Sequence, residues 1–226
     1  METSALTATG SRRRSPVRDA SRWSGAVFGV LFVASLAMAA TTTSPYTSSA
    51  EDYANAYGDD GRAGLARALA MAVVIAFLWA LARLRLALAG PRSGVAGAVI
   101  GPAGTLFAAS FAGAAAAGTA VGNAVEAAGG FTDGGFKAVP ETALVLDFVA
   151  DGLVWSSLVA AAVMTWAVAL AARRCGAVGG WVSWIGLVLV PLLPFAWLLF
   201  MAPVLIFAVW FAYLVVALPT QPRQSA

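Results

Sequence analysis

Residues 181–219 read WVSWIGLVLVPLLPFAWLLFMAPVLIFAVWFAYLVVALP, a run of 39 residues without a charged side chain. As one straight helix this run would be about 58 Å long at about 1.5 Å per residue, nearly twice the roughly 30 Å of a bilayer's hydrocarbon core. Three prolines interrupt the run, which favours a division into two helices. The predicted units are membrane spans at 181–199 and 203–218 and a tight apolar turn at 200–202. The alternative is a single kinked or re-entrant element, which would place the C-terminus on the other side.

The rest of the chain has the same character. Of its 226 residues, 60% are hydrophobic and 11% are charged, far from the roughly 25% charged residues of soluble domains. We therefore predict an all-α polytopic transmembrane bundle of about six spans, without an extramembrane domain. Residues 1–23 are predicted to be a disordered basic cytoplasmic tail, 24–219 the transmembrane domain and 220–226 a cytoplasmic tail. The predicted spans are 24–40, 64–84, 95–118, 143–172, 181–199 and 203–218.

The first apolar run, 24–40, is only about 17 residues long, and Ala37-Met38-Ala39 fits the small-x-small pattern of a signal peptidase site. A cleaved signal peptide is therefore an alternative to a first span. We favour the span, because the run exceeds the usual apolar length of about 7 to 15 residues in signal peptides.

Charged residues lie in short islands between the apolar runs, and the islands alternate in sign along the chain. With six spans and a cytoplasmic N-terminus, eleven of the fourteen basic residues lie inside, which satisfies the positive-inside rule. The net charge of +3 is therefore interpreted as topology and contact with the lipid bilayer, not as nucleic-acid binding. The eleven are Arg12, Arg13, Arg14, Arg18, Arg22, Arg83, Arg85, Arg92, Arg173, Arg174 and Arg223.

The sequence lacks the usual residues of catalysis and metal binding. It has no histidine and one cysteine, Cys175, so bis-histidine haem, Ser-His catalysis and thiolate metal clusters are excluded. Neither the P-loop nor the G-x-S-x-G pattern is present. The hydroxyls of Ser156, Ser157 and Thr165 are expected to bond back to a helix. We predict no catalytic residue, no cofactor and no metal site.

Asp147 and Asp151 are the acids nearest to a predicted span. Counting back about 20 residues from Arg173 puts the outer boundary of the fourth span near Leu153, so that Asp151 lies at the interface and Asp147 beyond it. We expect the two carboxylates to favour the helix N-terminus and to pair with Arg67. The alternative is an outward-facing acidic site through which a cation or solute enters.

Small residues dominate the third span. Gly97-x-x-x-Gly101 lies within it and Gly118-x-x-x-Gly122 at its outer end, spacings that let two helices approach closely. We favour packing within the chain over a dimer face.

The outer loop EDYANAY (51–57), the sequence FLWALARLR (77–85) and the sequence GWVSWIG (180–186) together resemble an actinobacterial family of uncharacterised multi-span membrane proteins, described as a domain of unknown function. This chain departs from the family at Gly179-Gly180, where a proline often precedes the tryptophan. The resemblance implies six spans and an uncleaved first helix, and brings no functional residues.

Two function classes follow. The favoured class is a non-enzymatic protein of the bacterial plasma membrane that packs with a membrane-protein partner or with copies of itself, or that acts in the envelope. The alternative is a small-solute transporter or channel, with Pro102, Pro191 and Pro194 marking broken helices around a site.

Overall fold

The computed structural model describes residues 16–41, 60–127, 140–199 and 201–218, and within these ranges the chain forms helices and no strand. The described ranges contain six α-helices, joined in part by two short 3-10 segments, Pro91–Ser93 and Leu193–Leu199. The helices are α1 Pro16–Thr41, α2 Asp60–Leu88, α3 Gly94–Ala127, α4 Pro140–Cys175, α5 Gly180–Leu192 and α6 Ala202–Ala217. The predicted all-α helical bundle is confirmed.

The helices extend beyond several predicted boundaries. Helix α1 begins at Pro16, so residues 16–23, predicted to be part of a disordered tail, are helical, while 1–15 lie outside the described residues. Helix α3 continues to Ala127, through part of the predicted outer loop. The reason is that hydropathy marks where a chain meets water, whereas a helix ends only where its backbone hydrogen bonds stop. Hydropathy therefore underestimates helix length.

Glycine ends the longest helix. Gly176 follows α4 with a φ of +59°, and its N–H donates to the Arg173 carbonyl oxygen at 3.2 Å. The next N–H, of Ala177, reaches back to the Ala172 carbonyl oxygen at 3.0 Å. This pair of bonds is the Schellman motif, which favours glycine because the left-handed conformation penalises a Cβ. The chain then turns into α5.

The apolar turn between α5 and α6 centres on Met201, which has a φ of +61°. Its N–H donates to the Ala196 carbonyl oxygen at 2.9 Å, and its own carbonyl accepts from Val204 at 3.0 Å. These bonds satisfy backbone groups without water or polar side chains, which allows an apolar turn. Helix α6 then runs back along α5. A hydrogen bond joins the two helices: the Trp210 indole N–H donates to the Val182 carbonyl oxygen at 2.8 Å.

A cluster of phenylalanines joins α1, α2, α3 and α6. Phe77 is fully buried at its centre, with ring centroids 4.6 Å from Phe107, 5.3 Å from Phe28 and 5.3 Å from Phe211. Tilted, edge-on and offset contacts of this kind favour aromatic pairs beyond simple area burial. We call the set the aromatic core; its members are Phe28, Phe32, Phe77, Phe107, Phe111, Phe207 and Phe211.

Glycines allow the last helix to approach its neighbours. A Cβ built at Gly25 on α1 would lie 2.5 Å from Cβ of Val215, and one at Gly29 would lie 3.3 Å from Cβ of Ala212. On α5, a Cβ at Gly186 would lie 2.5 Å from the Trp210 ring. Small residues four apart therefore set the α1–α6 contact. In the sequence, the spacing Gly25-x-x-x-Gly29 indicates such a contact.

Three of the helices are long and apolar enough to cross a membrane. The qualifying segments are Ala68–Leu88, Gly94–Val121 and Thr142–Cys175. Three shorter apolar segments accompany them, at Trp23–Ala39, Gly180–Ala196 and Ala202–Ala217.

Candidate functional site

Asp147 and Asp151 lie one turn apart on α4. Asp147 is only 4% exposed and Asp151 is half-buried. Asp147 falls within the apolar segment Thr142–Cys175, which is 34 residues long. A helix of this length exceeds the roughly 30 Å of a hydrocarbon core, so the position of Asp147 beyond the outer membrane boundary stays a prediction.

The stretch of α4 around Asp147 packs on α3. One turn before it, Ala143 packs with Val121 of α3, and further along a Cβ at Gly113 would lie 3.2 Å from a Leu153 methyl group. Asp147 lies between these two contacts, so its burial comes from the α3–α4 interface. Both carboxylates interact with other groups. Arg67 belongs to α2, but its side chain lies outside the described part. The predicted ion pair of Arg67 with the two carboxylates is therefore also outside the described part.

Hydroxyl groups along α4 serve its backbone. The Oγ of Ser156 donates to the Gly152 carbonyl oxygen at 2.9 Å, and the Oγ of Ser157 donates to that of Val154 at 2.7 Å. The predicted back-bonding is confirmed for both serines. The same prediction is wrong for Thr165, because among the side chains that the structure describes its buried hydroxyl makes no hydrogen bond, and neither does that of Ser183. In the same ranges no three Asp, Glu, Cys or His residues are grouped so as to hold a metal ion.

The four glycines predicted for helix packing have different surroundings. A Cβ at Gly97 would lie 2.3 Å from the Ser93 hydroxyl, and one at Gly101 would lie 2.9 Å from Cζ of Arg85 on α2. A Cβ at Gly118 would meet nothing within 4 Å. Gly122 lies on α3, and its packing is outside the described part. The close approach at Gly101 is therefore to an arginine side chain within the chain.

Arg83 is buried, although the sequence grouped it with the arginines of a cytoplasmic turn. It is 6% exposed, and its Nη2 donates to the carbonyl oxygen of Leu218 at 3.1 Å. Leu218 follows the last residue of α6, where carbonyl groups lack helical partners and a cation is favoured. Helical spacing could have indicated this burial. Arg83 follows the buried Ala80 by three residues, and this spacing puts Arg83 near the inward face of α2.

Four exposed arginines lie at the end of the bundle where α2 and α4 finish and α3 and α5 begin. We call them the arginine rim: Arg85, Arg92, Arg173 and Arg174. The guanidinium carbon of Arg173 lies 5.5 Å from the centre of the Trp184 ring, within the range of a cation–π contact. Leu218 lies at the same end, because Arg83 near the end of α2 reaches it.

These contacts define an α-helical bundle with three helices of membrane-crossing length, an aromatic core and arginines gathered at one end. Comparison with protein-family models, curated proteins and solved structures finds no match. The resemblance to the actinobacterial family therefore stays a prediction.

Proposed function

We propose that the chain is a multi-pass protein of the bacterial plasma membrane with six spans and both ends in the cytoplasm. Three helices have the necessary length, and the three shorter segments, of 16 to 17 apolar residues, lie close to the roughly 17-residue minimum for a span. Large apolar side chains such as Val30, Leu86 and Val95 are exposed on the bundle, which suits contact with lipid. Helix α1 contributes Phe28 to the aromatic core, a role that requires it to be retained.

The proposed orientation of the bundle in the membrane is inferred from the arginine rim. Exposed arginines converge on one end of the described bundle, and this end is assigned to the cytoplasm by the positive-inside rule. The segment that contains Asn55, between α1 and α2, is then expected to lie outside.

Orientation can be tested by Asn55→Cys in a Cys175→Ser background. The new thiol is expected to react with a membrane-impermeant maleimide in intact cells, because the proposed orientation puts position 55 outside. A matched cysteine at Arg92→Cys should react only after the cells are permeabilised. The reverse pattern would overturn the orientation.

For function, we propose a non-enzymatic role in which the bundle packs with another membrane protein, or with a second copy of itself, through its lipid-facing surface. The observation that carries this proposal is the aromatic core, whose closely spaced rings fill the space between α1, α2, α3 and α6. A solute pathway needs polar groups along its length, and these rings offer none.

A small-solute transporter or channel is the second candidate, and the burial of Asp147 favours it. Ionisable groups within membrane helices cost several kcal/mol and are retained mainly for ion or solute pathways. Asp147 is 4% exposed within a candidate span, so the α3–α4 interface, rather than the aromatic core, is where such a pathway would begin.

The double variant Asp147→Asn, Asp151→Asn separates the two candidates. For a non-transporting protein we expect cation and solute uptake into reconstituted vesicles to equal that of empty vesicles, both before and after the change. Asp60→Asn, at the start of α2, is the matched control for loss of an acid. Uptake that is present in the wild type and lost only in the double variant, with folded yield unchanged, would establish the transporter instead.

A further inference from the structure

The arginine rim has no carboxylate partner in the segments that build it. Residues 61–125 and 152–226 contain no aspartate or glutamate, and they include α5, α6, α3 as far as Val125, and the last turns of α2 and α4. Exposed guanidinium groups at a membrane surface attract anions, and arginine suits phosphate because its planar fork donates two parallel hydrogen bonds. An aspartate or glutamate partner for these arginines would therefore have to come from outside those segments.

Two of these arginines lie against α3 from opposite neighbours. Arg85 comes from α2, and its Cζ lies 2.9 Å from a Cβ built at Gly101; Arg174 comes from α4, and its Nη1 lies 3.3 Å from a Cβ built at Gly94. Gly94 and Gly101 are seven residues apart, about two turns, and so share one face of α3. The absence of side chains at both glycines lets guanidinium groups approach the same face of the helix.

That face continues as a shallow apolar surface. Ala98, Pro102, Thr105 and Ala109 follow one another on it at spacings of four, three and four residues, and all four are exposed. Larger exposed residues lie on the neighbouring helices: Leu78 is seven residues before Arg85 on α2, and Val163 is eleven residues before Arg174 on α4. These spacings place each on the same side of its helix as the arginine. From small residues on α3 between larger exposed residues on α2 and α4 we infer a shallow groove.

We propose that this groove binds one anionic phospholipid of the inner leaflet, with the phosphate beside Ala98, between Arg174 at Gly94 and Arg85 at Gly101, and an acyl chain along Pro102 to Ala109. Charge complementarity selects this occupant, because one end of the groove is cationic and the remainder is apolar. Basic pockets between transmembrane helices on the cytoplasmic side are suited to anionic headgroups. Trp181 and Trp184, both exposed at this end, fit the interfacial level of the headgroups. The proposal rests on the membrane location and orientation proposed above.

Lipid retention by the purified full chain tests the proposal. Native mass spectrometry would compare retention of phosphatidylglycerol with that of phosphatidylcholine in the wild type and in the double variant Arg85→Gln, Arg174→Gln. We expect the wild type to prefer phosphatidylglycerol. We expect the double variant to bind it roughly 30-fold more weakly, since each arginine near an anionic surface contributes on the order of a fivefold change.

Two variants keep the test specific. Arg173→Gln also removes one positive charge from the arginine rim, but Arg173 already lies over Trp184. This variant is therefore expected to change phosphatidylglycerol binding less than fivefold. Ala98→Leu fills the groove without changing charge and should weaken retention while thermal unfolding stays unchanged. An Arg173→Gln effect equal to that of the double variant, or retention unaffected by Ala98→Leu, would overturn the site.

Inorganic phosphate distinguishes a lipid from a free anion. It is expected to displace phosphatidylglycerol only weakly, because it lacks the acyl chain. Phosphate that stabilises the protein against heat as well as the lipid does, and that loses its effect in the double variant, would show a free-anion site and overturn the lipid assignment. Failure of lipid retention together with outward labelling at position 55 would reject this site alone and leave the membrane proposal intact.

Discussion

Phe77→Ala is expected to lower the free energy of unfolding in detergent by about 3 kcal/mol. Its ring is fully buried and contacts Phe28, Phe107 and Phe211, so truncation leaves a cavity where four helices meet. Inside a membrane the loss is mainly of packing contacts, because lipid tails already solvate apolar groups. A thermal unfolding midpoint about 10 °C below that of the wild type is the expected measurement.

Phe195→Ala is the matched control, because it removes the same atoms from a ring that is mostly exposed. It should shift the midpoint by less than about 2 °C, in keeping with changes at surface positions. Equal shifts for the two variants would contradict the central position of Phe77 in the bundle.

Gly25→Leu is expected to separate α1 from α6. The first added carbon already lies 2.5 Å from Cβ of Val215 and 3.0 Å from the Ala212 carbonyl oxygen, and that oxygen is backbone, so α1 must move. Overpacking of this kind costs up to about 3 kcal/mol. A pair of cysteines at Gly29 and Ala212, efficiently crosslinked in the Cys175→Ser background, should lose its crosslink when Gly25→Leu is added.

Gly118→Leu provides the comparison, because a Cβ there meets nothing within 4 Å. It should leave the crosslink and the thermal midpoint of the monomer unchanged. A folded Gly118→Leu protein that loses a dimer would place the partner at the outer end of α3. Destabilisation as large as that of Gly25→Leu would show that the α1–α6 contact has no special tightness.

Helix positions were largely predictable because long apolar runs have few alternatives in a bilayer. The turn at Met201 was located from prolines and length, since 39 uncharged residues are too long for one span. The extension of α1 back to Pro16 was not predictable from hydropathy, because its first turns are polar. Such residues carry no apolar periodicity, and only the backbone shows that the helix continues.

The candidate site was less predictable, because burial depends on which helices are neighbours. Asp147 and Asp151 could be identified as a pair on one helix face, but enclosure of Asp147 by α3 depends on the crossing at Gly113 and Leu153. Likewise, the abundance of glycine on α3 drew attention to Gly97 and Gly101, although close contacts between helices also use Gly25 and Gly186. Spacing along a helix predicts the face on which a residue lies, but it does not predict which other helix that face contacts.

The hydrogen bond between Arg83 and Leu218 joins residues 135 positions apart, and this has a consequence for biogenesis. Since synthesis proceeds from the N-terminus, α1, α2 and α3 are made before Phe207 and Phe211 exist to complete the aromatic core. Arg83 gains the Leu218 carbonyl acceptor only when residue 218 has been added. The bundle therefore cannot close before α6 is complete, and its interior stays unfinished until then.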